Sequence, residues 1–299
     1  MLALSIRPID PVSRPFFAGE VSGVDITRPL SREDVAAISA GMDEFGVLVF
    51  HDQHFTDQTQ LAFSRNFGTL EQATGDINFG KADRRGLPDE VNDISNLDRN
   101  NQVMARDDRK RLFSLGNRLW HSDSSFKAVP AKYSLLSARV IPAAGGNTEF
   151  ADMRAAYDAL DDETKAECKN LICEHSQIYS RGILGFADFT DDERRRFAPV
   201  RQRLVRRHPS TGRKSLFLAS HAGTIVGWPM PEARMFLRDL TEHATQRRFV
   251  YPHAWRQWDL VMWDNRATMH RARPFDASEV RDMHRTTVAC ERSTMAEAA

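Results

Sequence analysis

Trp120-His121-Ser122-Asp123, answered far downstream by Met262-Trp263-Asp264-Asn265-Arg266-Ala267-Thr268-Met269-His270, is the pair of stretches on which the reading of this chain turns. Together they hold two imidazoles and one carboxylate, the proportions of a mononuclear iron site. Three protein ligands on one face of an octahedron leave three positions open for chemistry. His121 and Asp123 stand two apart, so on an extended strand both side chains leave the same face and reach one ion. His270 has to come in from a strand remote in sequence. Working outward, residues 132–141, 215–219, 249–255, 260–263 and 284–289 are rich in β-branched and aromatic residues and read as strands. Strands so widely separated, carrying ligands that must meet, predict a mainly antiparallel jelly-roll core, a double-stranded β-helix.

Helical signals flank these strands, which makes the class mixed α/β. Ser31 is placed to cap a helix running to residue 44, with Asp34 in its first turn and Val35, Ile38 and Met42 as the apolar stripe. Thr56 is a second N-cap, and the helix carrying Leu61, Phe63 and Phe67 is expected to stop at Gly68. Further helices are expected over 153–160, over 162–171 and after Pro231. Residues 71–119 are polar, Gly- and Asp-rich and weakly periodic, far longer than a usual connection, and read as a lid or insert over the site. The whole of 1–299 is expected to form a single domain.

Composition narrows the partners. Lys+Arg and Asp+Glu are both 41, so the net charge is zero and the basic footprint of a nucleic-acid binder is missing. The Arg-rich run over 194–207 reads as a solvated surface or as part of a contact between copies in a homo-oligomer. Three cysteines, with no Cys-x-x-Cys pair, indicate neither a disulfide framework nor a structural zinc site, which suits a cytoplasmic protein. No signal peptide and no apolar run of membrane-spanning length is visible. Gly212-Arg213-Lys214-Ser215 lacks the first glycine and the Gly-Lys order of a phosphate loop, and no Gly-x-Ser-x-Gly elbow supports a serine hydrolase.

Around the candidate ligands, Gly145-Gly146-Asn147-Thr148-Glu149-Phe150 reads as a tight turn from which Thr148 would offer a hydroxyl to a bound acid. Arg281 and Arg285, four apart and downstream of His270, would be in phase on a strand or a helix and would bind two anions if they converged on the metal. Lys81, Arg84 and Arg85 are further candidates for an anion contact from the lid. His208 reads as a structural histidine, and Trp120 and Trp263 as packing residues.

These segments, in this order, resemble the Fe(II)- and 2-oxoglutarate-dependent taurine/2,4-dichlorophenoxyacetate dioxygenase family. The resemblance is carried by Trp120-His121-Ser122-Asp123-Ser124-Ser125-Phe126, by Tyr133 through Gly145-Gly146-Asn147-Thr148-Glu149-Phe150 to Asp152-Met153-Arg154-Ala155-Ala156-Tyr157, and by Met262-Trp263-Asp264-Asn265 to His270-Arg271. The wording is most similar to the 2,4-dichlorophenoxyacetate branch. The resemblance implies that His121, Asp123 and His270 hold Fe(II), that Thr148 and Arg281 bind 2-oxoglutarate, and that Arg285 meets the acid group of a small organic substrate; Lys81 is expected to join that substrate contact as a basic residue of the lid, not from the resemblance. It also implies O2 as oxidant, succinate and CO2 as co-products, and, from an aryloxyacetate, a phenol and glyoxylate. Taurine or another alkylsulfonate is the alternative substrate, and a non-catalytic jelly roll that binds an acid is the alternative class.

Overall fold

The computed structural model describes residues 3–73 and 85–297. Its strands in chain order are β1 (Ser5–Pro8), β2 (Gly19–Ser22), β3 (Val47–Phe50), β4 (Asn92–Asp93), β5 (Ala131–Val140), β6 (Thr148–Asp152), β7 (Ile172–His175), β8 (Val200–Arg203), β9 (Val205–Arg207), β10 (Lys214–Leu216), β11 (Ala222–Ile225), β12 (Val250–His253), β13 (Leu260–Asp264), β14 (Thr268–Ala272) and β15 (Asp282–Ala289). The main sheet runs β1-β2-β3-β13-β5-β15-β4, and a second sheet runs β12-β6-β14. The β2–β3 pair is parallel, whereas the other described strand pairs are antiparallel. The fold is thus mixed α/β with mostly antiparallel sheets.

Strand alternation separates two cores. Val47, Val49, Leu136, Ala138, Val261 and Trp263 leave one face of the main sheet and meet Phe150 of β6 and Tyr251 of β12. Leu48, Phe50, Leu135, Leu260 and Met262 leave the other face and pack on helix residues Ile38, Met42, Phe45 and Phe63. A strand buried on both faces must be apolar at every position, and β3 is. Beyond the second sheet, Met153, Met269, Leu237 and Leu240 belong to a third cluster.

The helix Arg32–Phe45 carries the expected Ser31 cap, whose hydroxyl accepts from the Asp34 amide, and it ends at Gly46 with φ of 69°. Thr56 caps Asp57–Arg65 in a capping box, but that helix ends two residues before Phe67 rather than at Gly68. Asn66 takes over its last turn by donating from its side chain to the Ala62 and Phe63 carbonyls. Further helices include Met153–Asp158, Asp162–Cys168 and Met230–Ala244.

The segment read as a structureless lid contains order where it is described. Asp108 caps a helix over Arg109–Ser114, followed by a 3-10 turn over Leu115–Arg118, and β4 adds an edge to the main sheet. Most arginines of the Arg-rich run are exposed, as expected, but Arg206 is buried against Glu297. The run supplies the last turn of the helix Asp191–Arg196 and the strands β8 and β9. No helix among the described residues is long and apolar enough to cross a membrane.

Candidate metal centre

His270 sits on β14, where its register partner is Phe150, and its ring is wedged between Trp263 (centroids 4.7 Å apart) and Phe150 (6.1 Å). His121 is not on a strand. It forms an isolated bridge to His270, each backbone amide donating to the other's carbonyl at 3.0 and 2.8 Å. After it the chain turns: Ser124 has φ of 54°, and Asp123 opens the turn instead of continuing an extended strand. The same-face strand argument therefore named residues that do come together, but for the wrong reason. A backbone bridge and a turn bring the three side chains together.

One ligand atom from each of His121, Asp123 and His270 lies within 4.8 Å of the others, and all three residues are buried. The Nε2 atoms of His121 and His270 stand 3.9 and 3.8 Å from the two Asp123 oxygens. Metal bonds of about 2.1 Å place two donors no more than about 4.2 Å apart, so these spacings fit a single ion. The His121 Nδ1–H donates to the Leu119 carbonyl at 2.8 Å, which leaves the Nε2 lone pair facing the carboxylate. Burial pushes both imidazoles below the usual histidine range, and for His270 the neighbouring His121 adds to it, so both are neutral ligands near pH 7. Burial alone would raise Asp123, but the Arg285 guanidinium and the two histidines hold its carboxyl well below the usual range.

Two groups that were not singled out from the sequence steady this carboxylate. Ser134 on β5 donates to Asp123 Oδ2 at 2.7 Å, and the Asp123 amide donates to Asn265 Oδ1 at 3.0 Å. Asn265 in turn receives Trp263 Nε1 and donates to Ser134 Oγ. Trp263 is therefore more than filler, because its indole N–H orients the amide that holds the Asp123 turn. The sequence put Asn265 two residues after Trp263, but nothing in that spacing showed which way its amide faces.

The triad opens onto a cavity of about 410 Å³ whose lining includes His121, Thr148, Trp263, His270, Arg281 and Arg285. Gly145 and Gly146, with φ of 77° and 68°, let the preceding turn press close: a Cβ on Gly145 would lie 2.6 Å from the Pro274 carbonyl. Thr148 begins β6 and accepts at Oγ1 from Trp255 Nε1 at 3.0 Å. Arg281, just before β15, is buried. No carboxylate of the described residues pairs with it, and burial pushes its guanidinium down to about 10. Its amide donates to Asn96 Oδ1, and NH1 reaches only the Ile94 carbonyl at 3.4 Å. Arg285 on β15 donates through NH1 to Asp123 Oδ1 at 2.5 Å, while its buried Nε has no partner.

Other expectations come out differently. Lys81 and Arg84 lie outside the described residues. Arg85 is paired with Asp93 and Asp282 and does not line the cavity, so it is no anion contact there. His208 is structural, its Nε2 3.0 Å from the Asp264 carboxylate.

Residues 5–287 match the taurine catabolism dioxygenase TauD, TfdA family. The chain belongs to this family. It is 46% identical, over 91% of its length and 94% of the relative's, to an alpha-ketoglutarate-dependent 2,4-dichlorophenoxyacetate dioxygenase of Cupriavidus pinatubonensis. It is 37% identical, over 96% of its length and 95% of the relative's, to an (S)-phenoxypropionate/alpha-ketoglutarate-dioxygenase of Sphingobium herbicidovorans. Among solved structures, AAD-2 in complex with Mn(II) and N-oxalylglycine superposes with a TM-score of 0.93 at 55% identity, covering 98% of this chain and 100% of that one. The protein is accordingly a 2-oxoglutarate-dependent dioxygenase, using Fe(II), 2-oxoglutarate and O2 on a small molecule. That sets aside the reading as a non-catalytic acid binder.

Proposed function

We propose that His121, Asp123 and His270 hold Fe(II), that Arg281 and Thr148 receive the distal carboxylate of 2-oxoglutarate, and that Arg285 receives the carboxylate of an aryloxyacetate substrate. The observation that carries this reading is Arg281, a buried guanidinium with no carboxylate partner among the described residues, which lines the same cavity as His121 and His270. A planar fork of donors suits a carboxylate with two parallel charge-assisted bonds. Thr148, held by Trp255, stands on the same cavity wall.

When bound, Fe(II) supplies the O2 chemistry that couples decarboxylation of 2-oxoglutarate, to succinate and CO2, with hydroxylation of a substrate carbon. The protein's part is to place that carbon. Arg285 is anchored through NH1 to the ligand Asp123, so an acid held on its remaining donors lies next to the metal. The carbon facing the metal is then the one between carboxylate and ether oxygen. Hydroxylation there yields a hemiacetal that collapses to a phenol and glyoxylate. Ile94, Met104, Leu112, Leu115, Leu136 and Phe275 line the chamber and suit an aromatic ring. Taurine would bring an ammonium needing a carboxylate, and Asp93, which lines the cavity, is already engaged by Arg85 and Lys110.

The triad and Thr148 stand on β-strands and turns around the interface of two sheets, which supports a double-stranded β-helix core. We read 1–299 as one dioxygenase domain with 71–119 as its lid, cytoplasmic and homo-oligomeric. A side-by-side assay of phenoxyacetate and taurine with the Fe(II)-loaded enzyme, reading phenol, glyoxylate and succinate, tests the substrate assignment. Phenol release at the dominant rate is expected. Preferential turnover of taurine would overturn it.

A further inference from the structure

Arg181, in the helix Gln177–Gly182, is buried and pairs with no carboxylate of the described residues, although a buried charge normally finds one. Its donors go to the described part of the lid. Nε donates to the Phe113 carbonyl at 3.1 Å, and the guanidinium lies 4.5 Å from the centroid of the Phe113 ring. The fit against the 3-10 turn is close: a Cβ on Gly116 would fall 2.3 Å from the guanidinium carbon, so any larger residue there would have to displace the Arg181 side chain. Through NH1, Arg181 also donates to Ser180 Oγ at 3.1 Å. Ser180 donates to the Gln177 carbonyl at 3.0 Å, so the His221 Nδ1 at 2.9 Å is the donor to Ser180. The His221 ring stands edge-on to His121, centroids 6.0 Å apart. The lid segment so gripped contributes Arg111, Leu112, Ser114, Leu115 and Asn117 to the chamber wall.

We propose that Arg181 is a positioning residue for the reaction: it latches residues 113–118 over the substrate chamber and, through Ser180 and His221, ties them to the metal ligand His121. The grip is cation–π contact and hydrogen bonds to neutral acceptors, with no acid among the described residues to neutralise the charge. Stability alone would favour an apolar residue here, because an uncompensated buried cation lowers it. That this wall faces an organic acid rests on the proposed function, whereas the latch itself can be read without substrate.

The test is Arg181→Met and Gly116→Ala, singly and together, in the full-length protein. In Arg181→Met, amide hydrogen exchange at 113–118 accelerates about tenfold, roughly what one lost charge-assisted hydrogen bond is worth. Exchange in β5 and β13 stays unchanged and the melting temperature does not fall. KM for the organic acid rises by a similar factor, while the Kd of 2-oxoglutarate measured with Mn(II) is preserved. Gly116→Ala alone also loosens 113–118, but it adds nothing in the Arg181→Met background, where the clashing guanidinium is gone. Unchanged exchange at 113–118, a melting temperature that falls with exchange rising everywhere, or an equal penalty from Gly116→Ala in both backgrounds would overturn the latch. Failure of the acid panel with exchange behaving as stated would refute the substrate reading and leave the latch standing.

Discussion

Replacing Arg281 with methionine separates a binding arginine from a structural one, because the two roles predict opposite changes in stability. Burial pushes this guanidinium down to about 10 from its ordinary value, and no carboxylate of the described residues opposes the shift. At roughly 1.36 kcal/mol per pH unit, holding that proton in the folded, ligand-free protein costs about 3 kcal/mol. Methionine fills a comparable volume without the charge and gives up only the 3.4 Å bond to the Ile94 carbonyl and the contact with the Phe275 ring. Ligand-free Arg281→Met is therefore expected to melt at the wild-type temperature or above it. The cofactor tells the other half. A 2-oxoglutarate carboxylate left in the chamber without its cation forfeits about 3–5 kcal/mol, or roughly two to three and a half decades of Kd. Calorimetric titration of the Mn(II)-loaded protein reads the affinity directly. Thermal melts with saturating 2-oxoglutarate read it again, since wild type gains about 2.7 kcal/mol at a hundredfold excess over Kd and the variant gains little. A destabilised variant that still binds 2-oxoglutarate with wild-type Kd would refute the reasoning and return Arg281 to the structural residues.

Other perturbations address the metal and the acid limb. Asp123→Ala removes the only carboxylate donor of the triad and should abolish both Fe(II) retention and turnover, checked by metal analysis and succinate release. Asn265→Ala leaves every ligand in place but removes the acceptor of the Asp123 amide, and metal affinity should fall about ten- to a hundredfold in a competition titration. His175 is enclosed and stacked on Phe217, and burial pushes its imidazole down to about 3. The unfolded imidazole binds a proton below about pH 6.5 while the folded one does not, so its contribution is complete above that pH. It drains as pH falls toward 3, at up to about 1.4 kcal/mol per unit. Urea midpoints of His175→Phe at pH 7 and pH 5 should therefore differ less than those of wild type.

How much of this was legible in the sequence depended on the length of the signal. β5, β13 and β15 are runs of β-branched and apolar residues, and they were read close to their observed bounds. Ser31 and Thr56 announced two helices by cap chemistry that the structure repeats. The helix Arg109–Ser114 spans six residues, too few for a 3.6-residue period to declare itself, and only its Asp108 cap marks it. The candidate donor set was legible because so few residue types ligate iron, but the geometry that gathers it was not. A strand at His121 is the simplest guess from a two-residue spacing, whereas a bridge to His270 depends on a partner far along the chain. Asn265, Ser134 and Trp255 were illegible as site residues for the same reason: each acts through a partner that only the tertiary fold supplies.

The buried arginines of this chain divide in a way that locates its function independently of any motif. Arg154 is held by Asp152, Arg266 by Asp264 and Arg206 by Glu297, and in each pair the acid raises the guanidinium despite its burial. A cation so paired fixes local geometry and asks nothing of a ligand. Arg281 and Arg181 are buried as deeply, yet burial pushes both down to about 10, with no carboxylate of the described residues to oppose it. One stands on the chamber wall and the other grips the lid segment that completes that wall. Arg285 lies between the two classes, since its acid is Asp123, which must also serve the metal. A fold selected for stability alone would have paired or replaced such cations, as it did elsewhere in the same chain. Arg281 and Arg285 both line one cavity, as an enzyme for anionic substrates requires, because on the proposed reading their negative partners arrive with 2-oxoglutarate and the acid substrate, while Arg181 holds part of that cavity's wall.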